Sequence, residues 1–327
     1  MSAPERVLVR APNWLGDVVL SLGALRDVRR NFAGARLLLL ARPAVAEIYR
    51  AVEGVDELRV ARSFAEEVEA QRGACDVSVL LPNSFGSAAA AWRAGVAERW
   101  GYATDGRGPL LTRRARVPAG ARGQSEVYYY RAMLAAVGLE VSAAPDTSLR
   151  CPAEWAERAR ALLGEGDVIG LAAGAAFGGA KRWIGERFAA VGDALARETG
   201  ARVVFVGGPG EREAALGLAG SMSRRPQVLC GETGLAELMG VISRLRLLVC
   251  NDSGPMHLAA ALGTPVAAVF GSTDWRETAP RGARARVLRA EGVACAPCKL
   301  RECPIDHACM RGVDAATVAR AAAELLG

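Results

Sequence analysis

Of the 41 basic residues in this 327-residue chain only two are lysines, Lys181 and Lys299, and only two histidines occur, His257 and His307. A multi-histidine metal centre is therefore excluded, and any histidine-assisted nucleophile must use one of two residues. The chain instead groups carboxylates, hydroxyls and glycines in four short loops. In Pro12-Asn13-Trp14-Leu15-Gly16-Asp17, Gly16 permits a tight turn and Asp17 stands at the start of a helix. Asp is a favoured N-cap, so spacing alone favours capping as its role; Trp14, however, is a large apolar side chain that a simple turn does not need. In Gly174-Ala175-Ala176-Phe177-Gly178-Gly179-Ala180-Lys181-Arg182-Trp183, glycines after a strand let backbone amides approach an anion, and the compact ammonium of Lys181 neutralises it. The Gly-Lys-Ser/Thr ending of a Walker loop is missing. In Val206-Gly207-Gly208-Pro209-Gly210-Glu211, either Glu211 or Glu213 accepts from ribose hydroxyls, or the acid complements the dipole of the next helix. In Cys250-Asn251-Asp252-Ser253-Gly254-Pro255-Met256-His257, Asp252 and Ser253 crown a strand, and free amides at a helix start form an anion site. His257, one turn in, is expected to face the same mouth.

The elements that must position these loops alternate between strand and helix. Arg6–Arg10, Ala35–Ala41 and Asp76–Leu81 read as strands in the first half, with helices at about 17–31, 43–52, 63–72 and 124–138. Residues 98–117, rich in Gly and Arg, read as irregular or short-strand structure. After Pro145 a second run has strands at Val168–Ala172, Arg202–Val206, Leu245–Cys250 and Pro265–Phe270. Its helices are expected at 153–163, 186–199, 211–221, 235–243 and 255–262. Apolar strands in repeated βα units predict largely parallel sheets covered on both faces, an α/β class with two Rossmann-like halves. Ligands in such sheets bind beyond the strand carboxyl ends, where all four loops fall.

Composition agrees with two domains, expected at 1–150 and 151–327: the length exceeds what one core usually supports, and 51% of residues are hydrophobic. A net charge of +6 favours anionic ligands or an anionic membrane surface. Aromatics at 6% are few for a single-stranded nucleic-acid binder, and no nucleic-acid partner is expected. Neither a signal peptide nor a transmembrane helix is expected, since no run approaches 18 apolar residues, so the reading is a cytosolic protein whose cysteines are reduced unless they bind metal.

Taken together, Ala11–Asp17, Leu81-Pro82-Asn83-Ser84-Phe85, Gly174–Trp183 and Asn251–His257 resemble the ADP-heptose:lipopolysaccharide heptosyltransferases, in order and at comparable spacing, with the heptosyltransferase II branch the nearest match. The resemblance implies a GT-B fold of two facing Rossmann-like domains, acceptor on the first and nucleotide-sugar donor on the second, with reaction in the cleft. It implies inverting, metal-independent transfer of heptose from ADP-heptose to the lipopolysaccharide inner core, with no cofactor, by a monomer at the cytoplasmic face of the inner membrane. The family's base carries over to Asp17 and its phosphate-binding lysine to Lys181. Its donor-binding residues carry over to Asp252, Ser253 and Gly254, followed by Met256 and His257, with Glu211 near the ribose and Thr233 near the adenine. Asn13, Trp14, Asn83 and Ser84 fall on the acceptor side. A different acceptor, protein or another glycan, and a noncatalytic nucleotide-sugar-binding protein are the alternatives; the intact Asp17 and Lys181 argue against the latter.

One segment stands apart. Cys295, Cys298, Cys303 and Cys309 lie within 15 residues that also hold Lys299 and His307. The spacing C-x2-C-x4-C-x5-C could close a tetrahedral zinc site, yet matches no common ribbon or finger. A structural metal, a disulfide pair and four free thiols all remain open on sequence.

Overall fold

The apolar runs Val7-Leu8-Val9 and Leu37-Leu38-Leu39-Leu40 become inner strands, buried along their lengths because helices cover both faces of a parallel sheet. A computed structural model describes residues 3–121 and 123–327 and divides the chain into two units, Met1–Thr147 and Ser148–Gly327. Among the described residues, the first unit has strands β1 (Arg6–Arg10), β2 (Arg36–Ala41), β3 (Glu57–Val60), β4 (Val77–Leu80), β5 (Glu98–Tyr102) and β6 (Arg113–Ala115). They lie in the order β3-β2-β1-β4-β5-β6, every pair parallel.

The second unit has β7 (Val168–Ala172), β8 (Arg202–Phe205), β9 (Gln227–Val228), β10 (Leu247–Asn251), β11 (Val266–Phe270) and β12 (Ala285–Arg289), again all parallel, in the order β12-β11-β10-β7-β8-β9. Counted from its own first strand, the second sheet repeats the order of the first. Both are Rossmann sheets, whose strand order reverses between the first and fourth strands and leaves a crevice at the carboxyl ends there. In the first unit that point lies between β1 and β4; in the second, between β7 and β10.

Several elements differ from the sequence expectation. The helix placed from Asp17 begins at Leu15, with Trp14 as N-cap and no side-chain capping bond. Asp17 is therefore inside the first turn, and its reading as the cap is corrected. The helix expected at 43–52 is a turn of α-helix, Pro43–Ala46, that tightens to 3-10 geometry over Glu47–Ala51. Residues 98–117 hold β5 and β6. The strands β3, β9 and β12 and the helices Phe85–Arg93 and Ala315–Leu326 add to those expected. The last of these starts at Asp314, whose carboxylate accepts from the Thr317 amide at 2.7 Å, and buries Val318, Ala322 and Leu325 in the core of the second unit. No helix of the described residues is long and apolar enough to cross a membrane.

In the second unit the helices Ala153–Leu163 and Leu235–Arg244 approach at Gly240, where an added Cβ would overlap the carbonyl oxygen of Trp155. The obstacle is backbone and cannot rotate away, so strain outweighs the few tenths of a kcal/mol of helix propensity gained on leaving glycine. Gly240→Val is expected to destabilise the protein by about 2 kcal/mol, read from the urea midpoint at unchanged slope.

Candidate active site

In the second unit the segments that flank the β7–β10 crevice converge. Asn251 ends β10 fully buried. Its side-chain amide donates to the carbonyls of Ala173 and Gly174, at 2.8 and 3.2 Å, while its Oδ1 accepts from the Trp183 amide at 2.9 Å. A buried amide satisfied on both its nitrogen and its oxygen is a rigid joint. It fixes the loop that carries Lys181. The Lys181 Nζ then meets Asp252 Oδ2 at 2.8 Å, with the two side chains 14% and 3% exposed. The same carboxylate oxygen accepts from the hydroxyls of Thr273, at 2.5 Å, and Thr278, at 3.4 Å. An ammonium has three donors, and the bond to Asp252 uses one. Lys181 also lies over the Phe177 ring, 5.1 Å from its centroid.

Ser253 is the N-cap of helix Gly254–Ala261, with Pro255 in its first turn. Its hydroxyl lies 3.3 Å from the Asn251 carbonyl oxygen. Met256 is fully buried in the core, because its side chain points inward from the first turn. His257 is also enclosed, at 5% exposure, rather than open to the mouth. Burial lowers its pKa to about 4, and the Lys181 charge pushes the same way against the opposing pull of Asp252. Among the described residues its Nδ1 has no hydrogen-bond partner.

The loop after β8 completes this edge. Glu211 closes a 3-10 turn, Pro209–Glu211, and its carboxylate accepts from the Gly208 amide at 2.8 Å. It lies so close to Gly174 that a Cβ there would overlap it. Beyond β9, the Gly231 amide donates to the Gly207 carbonyl at 3.0 Å, and Thr233, two residues on, is half-buried. A cavity of about 190 Å³ lies between these loops, lined by Gly174, Trp183, Val206, Glu211, Leu218 and Cys230.

In the first unit the loops after β1 and β4 flank the other crevice. Trp14 is 55% exposed at a helix start, and Asn13 is exposed beside it. Asn13 Oδ1 accepts from Arg10 Nη1 at 2.9 Å, and Arg10 is itself held by buried Glu67 at 2.7 Å, which also pairs with Arg42 at 2.9 Å. Asp17 is half-buried near two enclosed tyrosines. Burial raises the pKa of both Tyr49 and Tyr130, and the Asp17 charge adds to the rise in each, so both hydroxyls stay neutral. Asn83 donates to the Tyr129 hydroxyl at 2.7 Å. Ser84 is an N-cap, its hydroxyl accepting from the Ser87 amide. Sequence reading missed Arg107, which is fully buried and donates to the Pro82 carbonyl, the Tyr102 carbonyl at 2.7 Å and the Ser87 hydroxyl at 3.1 Å. Burial lowers its pKa to about 10, so it remains charged at neutral pH. It fixes the loop that bears Asn83 and Ser84, and one arginine among several in a stretch rich in Gly and Arg carries no sequence signal of that.

The eight cysteines are free thiols, and among the described residues no group of three or more His, Cys, Asp or Glu side chains is arranged to hold a metal ion.

Residues 62–309 match the family described as glycosyltransferase family 9 (heptosyltransferase). The chain belongs to that family. It is 30% identical to lipopolysaccharide heptosyltransferase 2 of Salmonella typhimurium over 312 residues, covering 87% of this chain and 88% of the relative. The structure of Escherichia coli ADP-heptose lipopolysaccharide heptosyltransferase II aligns with a TM-score of 0.86 at 25% identity, over 98% of each chain. The E. coli heptosyltransferase WaaC, solved with ADP-2-deoxy-2-fluoro heptose, aligns with a TM-score of 0.74 at 22% identity, over 98% of this chain and 99% of that one, a likeness of fold. The two all-parallel sheets with flanking helices are a GT-B-like two-domain α/β fold, and this family 9 chain is a glycosyltransferase.

The enclosed His257 sets a pH dependence. Its folded-state pKa is depressed, so the unfolded chain takes up the proton first, and the stability of the neutral form is complete above pH 6.5 and lost as pH falls toward 4. The loss is on the order of 3 kcal/mol. His257→Leu is expected to lack that component, so urea unfolding at pH 7 and pH 4.5 should show a smaller acid loss than in wild type.

Proposed function

We propose that this family 9 glycosyltransferase moves heptose from ADP-heptose to the inner core of lipopolysaccharide, with inversion at the anomeric carbon and without an essential metal. The observation that carries the reading is the Lys181–Asp252 pair, which joins two glycine-bearing loops at the crevice of the second sheet. The named activity of the relatives supplies the sugar and the acceptor class.

Residues 151–327 bind the donor in this reading. The two remaining ammonium hydrogens of Lys181 and the amides of Ser253 and Gly254 hold the pyrophosphate, while Asp252 keeps the ammonium aimed. The cavity bounded by Glu211 suits the adenosine, with Glu211 accepting from the ribose and Thr233 near the adenine. Met256 and His257 act from behind, as packing beneath the pyrophosphate loop. Residues 1–150 bind the acceptor through Asn13, Trp14, Asn83 and Ser84. The Asp17 carboxylate takes the proton of the acceptor hydroxyl as its oxygen attacks C1. The C1–O bond to the β-phosphate breaks, and ADP leaves with the electron pair. Negative charge grows on the pyrophosphate as that bond breaks, so Lys181 and the amides bind the transition state more tightly than the substrate. That stabilisation is the ground for proposing no essential metal. Tyr49 and Tyr130, neutral hydroxyls near Asp17, do not compete with it for the proton. A phosphorylated, membrane-held acceptor suits the net charge of +6, and we place the protein peripherally at the cytoplasmic face of the inner membrane.

A screen of radiolabelled ADP-, UDP- and GDP-sugars against core-truncated lipopolysaccharide is expected to show transfer from ADP-heptose. Transfer from UDP-sugars alone would overturn the donor assignment, and transfer to another acceptor would redirect the acceptor assignment. Asp17→Asn is expected to bind ADP as wild type does while turnover falls by about 10²–10⁴-fold, the usual contribution of a general base. Near-wild-type transfer by that variant removes Asp17 from the chemistry.

A further inference from the structure

The Cys295–Cys309 segment has no part in the chemistry above, yet it is packed against the loop that bears Lys181. The amide of Ala180 donates to the Arg301 carbonyl at 2.9 Å, and the amide of Gly179 donates to Glu302 Oε1 at 2.9 Å. The approach requires glycine at Gly178, where a Cβ would overlap the Arg301 carbonyl; a Cβ at Gly179 would meet only the end of the Glu302 side chain. The Arg301 guanidinium lies over the Phe177 ring at 5.2 Å, the ring that Lys181 also covers.

The same segment grips the loop on the far side of Asp252. The Lys299 amide donates to the Ser272 carbonyl at 2.7 Å, and its Nζ pairs with Glu277 at 2.5 Å. The next residue after Ser272 is Thr273, whose hydroxyl donates to Asp252. At the base, buried Cys309 packs under Gly271, and the His307 amide donates to Cys303 Sγ at 3.3 Å. One segment therefore holds both the loop that bears Lys181 and the loop that bears Thr273, a hydroxyl partner of Asp252.

We propose that Glu302 is a positioning residue for Lys181, and that the cysteine-rich segment is the strap that presents it. The carboxylate is an acceptor for an amide of the Gly179–Lys181 turn. It fixes the turn from outside, as Asn251 fixes the ends of the loop from inside. Misplacing a charge-stabilising group by about 1 Å can cost about 10²-fold in rate, so a strap at this position acts on turnover without touching the donor. The inference rests on the reading of Lys181 as the pyrophosphate-binding cation.

The test uses the full chain with Glu302→Ala and Glu302→Gln. The alanine variant loses the acceptor oxygen, whereas the glutamine keeps one. Glu302→Ala is expected to lower kcat/KM for the donor by about tenfold, with acceptor KM and unfolding midpoint unchanged, and Glu302→Gln to recover most of the loss. Hydrogen exchange of a peptide spanning residues 174–183 is expected to quicken in Glu302→Ala and to return toward wild type in Glu302→Gln. Unchanged exchange in Glu302→Ala overturns the proposal, as does faster exchange with unchanged donor kcat/KM. Quicker exchange across the whole second unit with a lowered midpoint overturns it too, because Glu302 would then serve stability alone. Wild-type protein that transfers no sugar from ADP-heptose defeats the functional reading instead, and the exchange comparison still decides whether Glu302 orders the loop.

Discussion

A lysine and an aspartate with little access to water constrain everything around them. Taking either ion out of water costs several kcal/mol, and their attraction offsets this only if geometry is held and the remaining lone pairs are satisfied. Thr273 and Thr278 support the pair by donating their hydroxyls to the same Asp252 oxygen that Lys181 meets, and Asn251 fixes the lysine's loop. Removing one partner would leave an uncompensated buried charge, so the two loops cannot drift apart independently. The pair also explains why a lysine stands here in a chain whose other cations are almost all arginine. An ammonium is a compact charge with donors to spare after one ion pair, whereas a planar guanidinium would match the carboxylate with two of its own.

The fold supplies the place for this pair twice over. Each sheet reverses its strand order between its first and fourth strands, and the chemistry-bearing loops follow those strands: Asn13 to Asp17 and Asn83-Ser84 in the first unit, Gly174 to Lys181 and Asn251 to Ser253 in the second. The strands need only be apolar and β-forming, so sequence information concentrates in the loops. Support for those loops comes from elsewhere in the chain. Arg107 braces the Asn83 loop from beneath, and the Arg10–Glu67 pair orients Asn13.

What was legible in sequence follows from this arrangement. Inner strands such as β1, β2, β7, β10 and β11 are buried on both faces and read as apolar runs. The strands β3, β6, β9 and β12 are the four sheet edges. They are short or studded with charge, as in Glu57-Leu58-Arg59-Val60 and Ala285-Arg286-Val287-Leu288-Arg289, because an edge meets solvent. Their patterns therefore fade where the strands lose neighbours. The helix Phe85–Arg93 carries a run of alanines, small enough to lie on any face, which blurs its apolar stripe. Of the candidate site, Lys181, Asp252 and Ser253 stood out through glycines and a rare lysine. Thr273, Arg107 and Glu302 could not, since each acts through a fold-dependent contact with a loop remote in sequence.

The two-sided bonding of Asn251 constrains the loop beside it. Its nitrogen binds the carbonyls where that loop departs from the sheet, at Ala173 and Gly174, and its oxygen binds the amide where the loop returns, at Trp183. One side chain thus fastens both ends, and the segment between becomes in effect a small macrocycle closed by hydrogen bonds. A ring has far fewer shapes than an open loop of the same length, so most of the entropy of ordering is spent when the domain folds. Little is left to be lost when an anion arrives, and such a loop can remain rich in glycine without being slack.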